Sequence, residues 1–336
     1  MRTKLFDLPK VAVIAAALSV LTTTHARADA EDKITKSFQV HPGDQLLVQV
    51  DRGSIEIVTA EANSVNIEIT RKAGGSSSKA EQILKDHVVT TTQNGRTVEV
   101  HAKYTGAKSS GWFGRSPELQ VSCRVTVPRK FDVNLKTAGG HITVTELTGK
   151  LNANTSGGNL SFKKIEGPVS AQTSGGHITL AGCTGKVDLS TSGGNLNLSG
   201  IEGDVTASTS GGHITLDKLS GKTVVKTSGG NINVTGIKGS IDADTSGGHI
   251  TVSLPFQPTG NCSFDTSGGN IVLNLAEKVA VDIDAHTSGG QVSTELPVVS
   301  VVQGKQKNNE LRGKINGGGP LIVARTSGGH IRLEKN

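Results

Sequence analysis

Histidines recur at a fixed interval in the second half of this 336-residue chain, and an imidazole can ligate a metal ion or transfer a proton. His141, His177, His213 and His249 are each 36 residues apart. The positions between and after them complete an alternating series: Asn159, Asn195, Asn231, Asn270, Gln291 and His330. The regular spacing identifies these residues as a candidate binding ladder on the outside of a repeat.

Whether this ladder can bind a metal depends on the length of one coil of the repeat. In a 36-residue coil, histidine would stack on histidine one strand spacing apart, about 4.8 Å, and shared ligation becomes conceivable. In an 18-residue coil successive histidines lie about 9.6 Å apart, whereas two nitrogens on one Zn²⁺ are roughly 3.3 Å apart. We favour the 18-residue coil, in which the ladder side chains satisfy backbone groups, and predict no metal site and no cofactor.

Acidic side chains could instead carry out polysaccharide cleavage. Glycoside hydrolysis needs two carboxylates facing each other across a sugar, and Ca²⁺-dependent lyases need clustered acids. The acids of the repeat region are scattered: Glu146, Glu166, Asp188, Glu202, Asp204, Asp217, Asp242 and Asp244. Asp242 and Asp244 share an outward face, but the pair does not recur as a column. We therefore predict no catalytic residues and no enzyme, and keep a polysaccharide-active β-helix enzyme and a metal-binding histidine ladder as alternatives.

The element that positions the ladder is a repeated tetrapeptide, Thr-Ser-Gly-Gly, called the box below. The boxes begin at Thr155, Thr173, Thr191, Thr209, Thr227, Thr245, Thr266, Thr287 and Thr326, and Thr137 opens a tenth copy in which Ala138 replaces serine. From 137 to 245 each step is 18 residues, and the later steps are longer. A fixed period near 20 residues is typical of a repeat architecture.

One repeat contains two short strands and two glycine corners. Ile178 and Leu180, then Val187 and Leu189, alternate with polar residues, which is the period of a β-strand with one buried face. Paired glycines turn the chain because glycine accepts positive φ without steric cost. One unit cannot bury its few apolar residues alone and must stack on the next. The sequence therefore predicts an all-β fold, a parallel β-solenoid (β-helix) of about ten short rungs, and 20 of the 43 glycines lie in the boxes.

The N-terminus indicates export. Basic residues, the apolar run 11–21 and a small-residue segment form the layout of a signal peptide, predicted over residues 1–28. Removing it takes away half of the formal charge of +6, and no dense basic run remains, so we predict no nucleic-acid partner and no transmembrane segment. The predicted location is the periplasm, the cell surface or the medium.

The remaining chain divides into residues 29–135, a β-rich region with one short helix from Ser78 that caps the solenoid, and residues 136–336, the repeat solenoid with an insertion near 297–319. A Gly/Ser-rich loop carries Trp112 and Phe113, either a docking tip or two aromatics folded over the core. Cys123, Cys183 and Cys262 occupy aliphatic positions, and we interpret them as small buried hydrophobes.

Several motifs together resemble the bacterial DUF4097 "putative adhesin" family. They are residues 37–44 (SFQVHPGD) and 52–57 (RGSIEI), the repeated Thr-Ser-Gly-Gly-x-Ile, and residues 311–320 (LRGKINGGGP). The resemblance implies an exported or envelope β-solenoid protein and supplies no catalytic residues. We expect a non-catalytic, adhesin-like binding or structural module that uses a solenoid face, with an envelope or extracellular glycan or a surface protein as partner and the oligomeric state open.

Overall fold

The computed structural model describes residues 30–106, 118–300 and 308–336, and within them the chain is almost entirely β-structure. The predicted signal peptide and the loop with Trp112 and Phe113 lie outside the described residues. The N-terminal elements are β1 (Ala30–Gln39), β2 (Gln45–Val50), β3 (Ser54–Ala60), β4 (Ser64–Ala73), α1 (Ser77–Asp86), β5 (His87–Asn94), β6 (Thr97–Tyr104) and β7 (Leu119–Pro128). No helix in the described part of the chain is both long and apolar enough to cross a membrane.

The repeats form the rungs of a solenoid, and each rung contributes one strand to each of two long sheets. The odd-numbered strands form the first sheet and the even-numbered strands the second. In chain order they are β8 (Asp132–Thr137), β9 (Ile142–Thr145), β10 (Leu151–Thr155), β11 (Leu160–Glu166), β12 (Val169–Thr173), β13 (Ile178–Thr184), β14 (Val187–Thr191), β15 (Leu196–Glu202), β16 (Val205–Thr209), β17 (Ile214–Ser220), β18 (Thr223–Thr227), β19 (Ile232–Thr235), β20 (Ile241–Thr245), β21 (Ile250–Leu254), β22 (Cys262–Thr266) and β23 (Ile271–Leu275).

Strand register fixes the length of one coil at 18 residues. Leu160 of β11 pairs in parallel with Ile142 of β9, and Leu151 of β10 pairs with Val133 of β8. Asn159 is therefore the neighbour of His141, as in the shorter of the two coils. The predicted parallel β-solenoid with an 18-residue period is confirmed.

The core is a narrow column of aliphatic side chains between the two sheets. Cys183 pairs with Ile165 on one side and Ile201 on the other, inside this column. All three cysteines are free and buried. Burial raises the pKa of the Cys183 thiol to about 11 and that of Cys123 to about 12, so the reactive thiolate is suppressed. The cysteines act as core residues.

The threonine of each box is buried and joins two rungs. Its Oγ1 donates to the carbonyl of the second box glycine one rung earlier, at 2.7–3.0 Å, as Thr191 does to Gly176. The same Oγ1 accepts from the N–H of the second glycine of its own box, as from Gly194 at 3.3 Å. The fold thus requires this threonine, because a hydrophobic replacement would leave buried backbone groups unpaired.

The N-terminal region continues the stack of parallel strands. β2 and β3 pair in parallel with β8 and β9, and β6 and β7 pair in parallel with β2 and β3 on the other side. β1, β4 and β5 then add antiparallel strands at this end, and α1 packs Ala80 and Ile83 against it. The antiparallel strands and the helix cover the stack of parallel rungs at this end.

At the other end the order of rungs in space differs from their order in the chain. The last elements are β24 (Val281–Thr287), β25 (Val292–Thr294), β26 (Val298–Ser300), β27 (Glu310–Ile315), β28 (Leu321–Thr326) and β29 (Ile331–Lys335). β28 lies between β22 and β24, and β29 lies between β23 and β25. The last rung of the sequence is therefore the penultimate rung of the solenoid, and β27 closes the end by pairing antiparallel with β24.

Candidate functional site

The ladder residues are joined by nine hydrogen bonds that run along one corner of the solenoid. Each side chain accepts a hydrogen bond from the backbone N–H of the ladder residue on the next rung, at 2.8–3.1 Å. Histidines accept through Nδ1, as His177 does from Asn195, and asparagines through Oδ1, as Asn195 does from His213. The two side chains are interchangeable here because both place an acceptor two bonds beyond Cβ.

Alternation of histidine with asparagine follows space rather than sequence. In the chain, Asn270 is followed by Gln291 and then His330. In the solenoid, His330 lies directly beyond Asn270 and donates its N–H to Asn270 Oδ1, and Gln291 lies beyond His330. The alternation thus persists across the rung that is out of sequence order, which a simple copy of a 36-residue block does not explain.

Both ring nitrogens of each ladder histidine have a fixed role. Nδ1 accepts from a backbone N–H, so in the neutral ring Nε2 carries the proton and faces outward. A metal at Nε2 would need that proton removed while Nδ1 stays unprotonated, which makes the ring an imidazolate. Successive histidines are also two rungs apart, about 9.6 Å. The described part of the chain has no group of three or more His, Cys, Asp or Glu side chains that could hold a metal.

Addition of Zn²⁺ or Ni²⁺ is expected to leave the melting temperature of the purified protein unchanged. The physical reason is the committed Nδ1 and the wide spacing, which leave no two ladder nitrogens able to share an ion. Thermal unfolding monitored by circular dichroism, with and without excess metal and with EDTA as control, measures this. A rise in melting temperature of several degrees that EDTA reverses would contradict the hydrogen-bonded ladder.

A second outward column runs beside the ladder, two residues further along each first-sheet strand. Over seven consecutive rungs it holds only hydroxyl or amide side chains: Thr143, Ser161, Thr179, Asn197, Thr215, Asn233 and Thr251. These residues are exposed except Thr143, which is half-buried. Together with the ladder they make an uncharged polar strip about 29 Å long at the usual strand spacing.

The two glycines of each box differ in what the fold asks of them. A Cβ on the second glycine would lie 1.7–2.1 Å from the carbonyl oxygen of the equivalent glycine on the neighbouring rung, so no other residue fits. A Cβ on the first glycine meets nothing within 4 Å at Gly157 and nothing nearer than 3.8 Å at Gly193. Neither box glycine has the positive φ expected from the sequence. Positive φ occurs instead at the opposite corner, at Gly167, Gly185 and Gly203 among others.

The acids considered for catalysis lie away from this strip. Asp242 and Asp244 face outward on β20 of the second sheet, and Asp244 is 3.8 Å from Lys226. Glu146 accepts a hydrogen bond from Lys164 at 2.7 Å, which holds the pKa of Glu146 below its usual range. These carboxylates are partnered by lysines rather than facing one another across a cleft.

Another cluster of titratable groups serves the N-terminal end of the fold. His87 is buried 3.9 Å from Asp51, and burial, reinforced by the Arg71 charge, lowers the pKa of His87. Arg71 itself pairs with Asp32 and donates to the carbonyls of Leu84 and His87 at the end of α1. Arg71 thus satisfies the last carbonyls of the helix, and the cluster is explained by α1 packing.

These features define a β-solenoid with a hydrogen-bonded polar corner. The family model described as Toastrack DUF4097 matches residues 44–334, so the chain belongs to that family, and the resemblance noted from the motifs is confirmed. No curated protein matches the chain.

Solved structures with a related course of the chain include three bacterial proteins. A "putative adhesin" from Bacteroides fragilis NCTC 9343 has 12% identity and a TM-score of 0.40, covering 90% of this chain and 97% of its own. A "putative lipid binding protein" from Parabacteroides distasonis ATCC 8503 has 14% identity and a TM-score of 0.37, covering 90% and 96%. A "putative cell adhesion protein" from Clostridium sporogenes ATCC 15579 has 12% identity and a TM-score of 0.19, covering 91% and 100%.

Proposed function

We propose that the chain is an exported, non-catalytic envelope protein that binds an extended glycan along the polar strip of its first sheet. The observation that carries the proposal is the seven-rung column of hydroxyl and amide side chains beside the ladder. Its members stay small, uncharged and hydrogen-bonding although their identities vary. A surface of this kind suits a polymer whose hydroxyls repeat along its length.

The second sheet provides a contrast within the same rungs. Its outward positions include Asp188, Asp242 and Asp244 and the cation Lys226, so charges of both signs interrupt that face. A neutral strip on one face and a mixed charged surface on the other favour the first sheet as the binding side. The signal-peptide layout of residues 1–28 supports export.

Binding to isolated cell-wall polysaccharide and to a glycan array, with product analysis by chromatography, tests the proposal. The wild-type protein is expected to be retained and to release no product. The double variant Thr179→Leu/Thr215→Leu is expected to bind about tenfold more weakly, because two hydrogen bonds of about 1 kcal/mol each, or slightly less, are lost.

The matched control is Ser170→Leu/Thr206→Leu, two exposed hydroxyl residues on the second sheet of neighbouring rungs. It adds the same apolar bulk elsewhere and is expected to bind as the wild type does. Absence of retention on any glycan, release of shortened product, or equal loss in both double variants would each contradict the proposal.

A further inference from the structure

The repeated box contains two residues that the fold needs and two that it does not. The buried threonine bridges rungs, and the second glycine allows them to approach. The serine and the first glycine are exposed, and a Cβ at the first glycine reaches open space or ordinary contact distance in every box except that of Gly289 on the terminal rung. Yet the first glycine occurs in all ten boxes and the serine in nine.

Retention of these two residues contrasts with the adjacent exposed column, where threonine, serine and asparagine replace one another. Neither backbone conformation nor internal space explains why the first glycine never becomes alanine. A glycine at an exposed position leaves the backbone open to close approach from outside. The corner strip, defined as the box serines, first glycines and ladder residues from Ser156 to Asn270, is therefore shaped for something that lies directly against the chain.

The chemistry of the corner strip is that of hydrogen-bond donors. One acceptor atom of each ladder side chain is bonded to the next rung, so the groups that histidine and asparagine direct outward are Nε2–H and Nδ2–H₂. One such group recurs on every rung, about 4.8 Å from the next. A ligand rich in acceptors fits this line better than one that must also donate.

Charge placement points the same way. The corner strip holds no Asp or Glu, because the acids of these rungs lie on the second sheet, as Asp188 and Asp242 do, or near the opposite corner, as Glu202 does. Carboxylates would therefore meet no like charge on the strip. Hydrogen bonds to an ionised acceptor are roughly twice as strong as neutral ones.

We infer that the glycan bound by this protein carries carboxylates at regular intervals, as a uronic-acid polymer does, and lies along the corner strip against the first glycines of the boxes. This inference rests on the proposed glycan-binding function and names its substrate class. Each carboxylate accepts hydrogen bonds from the Nε2–H or Nδ2–H₂ groups and from the serine hydroxyls, and the bare glycines let the polymer lie flat.

Calcium-free binding measurements with polygalacturonate and with its fully methyl-esterified form test the inference. The wild-type protein is expected to bind the carboxylate form at least tenfold more tightly. The double variant Gly193→Ala/Gly211→Ala raises two methyl groups on the strip and is expected to weaken polygalacturonate binding about tenfold, with an unchanged melting temperature. Ser170→Ala/Thr206→Ala, on the second sheet, is the matched control and binds as the wild type does.

The outcomes separate this inference from the proposed function. Equal affinity for the two polymers, or binding by Gly193→Ala/Gly211→Ala equal to that of the wild type, overturns the inference. Retention on neutral glycans that is sensitive to Thr179→Leu/Thr215→Leu leaves the proposed function standing while the inference fails. Absence of binding to any glycan overturns both.

Discussion

Replacing Gly194 by alanine is expected to destabilise the protein by about 3 kcal/mol or more, the scale of severe overpacking. A Cβ at Gly194 would lie 1.8 Å from the carbonyl oxygen of Gly176. Neither atom can retreat, because that carbonyl also accepts the Thr191 hydroxyl and both sheets hold the rungs in register. Equilibrium unfolding in urea, followed by circular dichroism, measures the change.

The neighbouring glycine supplies the matched control. Gly193→Ala adds the same methyl group one residue earlier, where the nearest atom is 3.8 Å away, so its stability should stay within about 0.5 kcal/mol of the wild type. Similar losses in the two variants would contradict the division of the box into required and free positions. That result would also remove the main argument for the corner strip as a binding surface.

Ending the chain after Pro320 is expected to disorder the C-terminal end of the solenoid while the central rungs stay folded. The truncation removes β28 and β29, the only described parallel neighbours of β24 and β25. It also uncovers one edge of β22 and of β23. Because repeat stability is nearly a sum over adjacent rungs, the loss remains local to this end. Hydrogen exchange read by mass spectrometry should show β24 and β27 unprotected and β12 to β17 unchanged.

A chain that ends after Leu333 is the control for this truncation. It keeps β28 and the buried part of β29, including Ile331 and Leu333, and should protect β24 and β27 as the full chain does. If the two truncated chains exchange alike, the interleaved position of the last rung is wrong. Aggregation confined to the shorter chain would agree with its exposed strand edges.

Local repetition explains why the sequence predicts most of this fold. Period-2 alternation such as Ile178 and Leu180 identifies strands, and the 18-residue step identifies the coil, because both depend on residues close in the chain. The pairing of Cys183 with aliphatic neighbours follows from the same alignment. What the repeat alone leaves open is which strand lies next to which once the step changes.

Two features depend on contacts that the sequence pattern does not contain. The rung of β28 and β29 enters between two earlier rungs, and only the positions of His330 and Gln291 in the alternation hint at it. The reason for glycine at Gly194 is an approach between rungs rather than a positive φ, which no single repeat can reveal. The ladder residues could be recognised as outward and periodic, but the bonding of Nδ1 needs the neighbouring rung.

The interleaved rung also imposes a timetable on assembly. A chain that emerges from its N-terminus can stack rungs one by one as far as β23, since each new rung finds its neighbour already in place. The next segment, β24 and β25, has no seat at that moment, because the strands that will flank it, β28 and β29, have not yet been synthesised. The growing stack therefore pauses with an open edge until residues 321–335 arrive. Completion of the whole repeat array, rather than its gradual lengthening, closes the molecule.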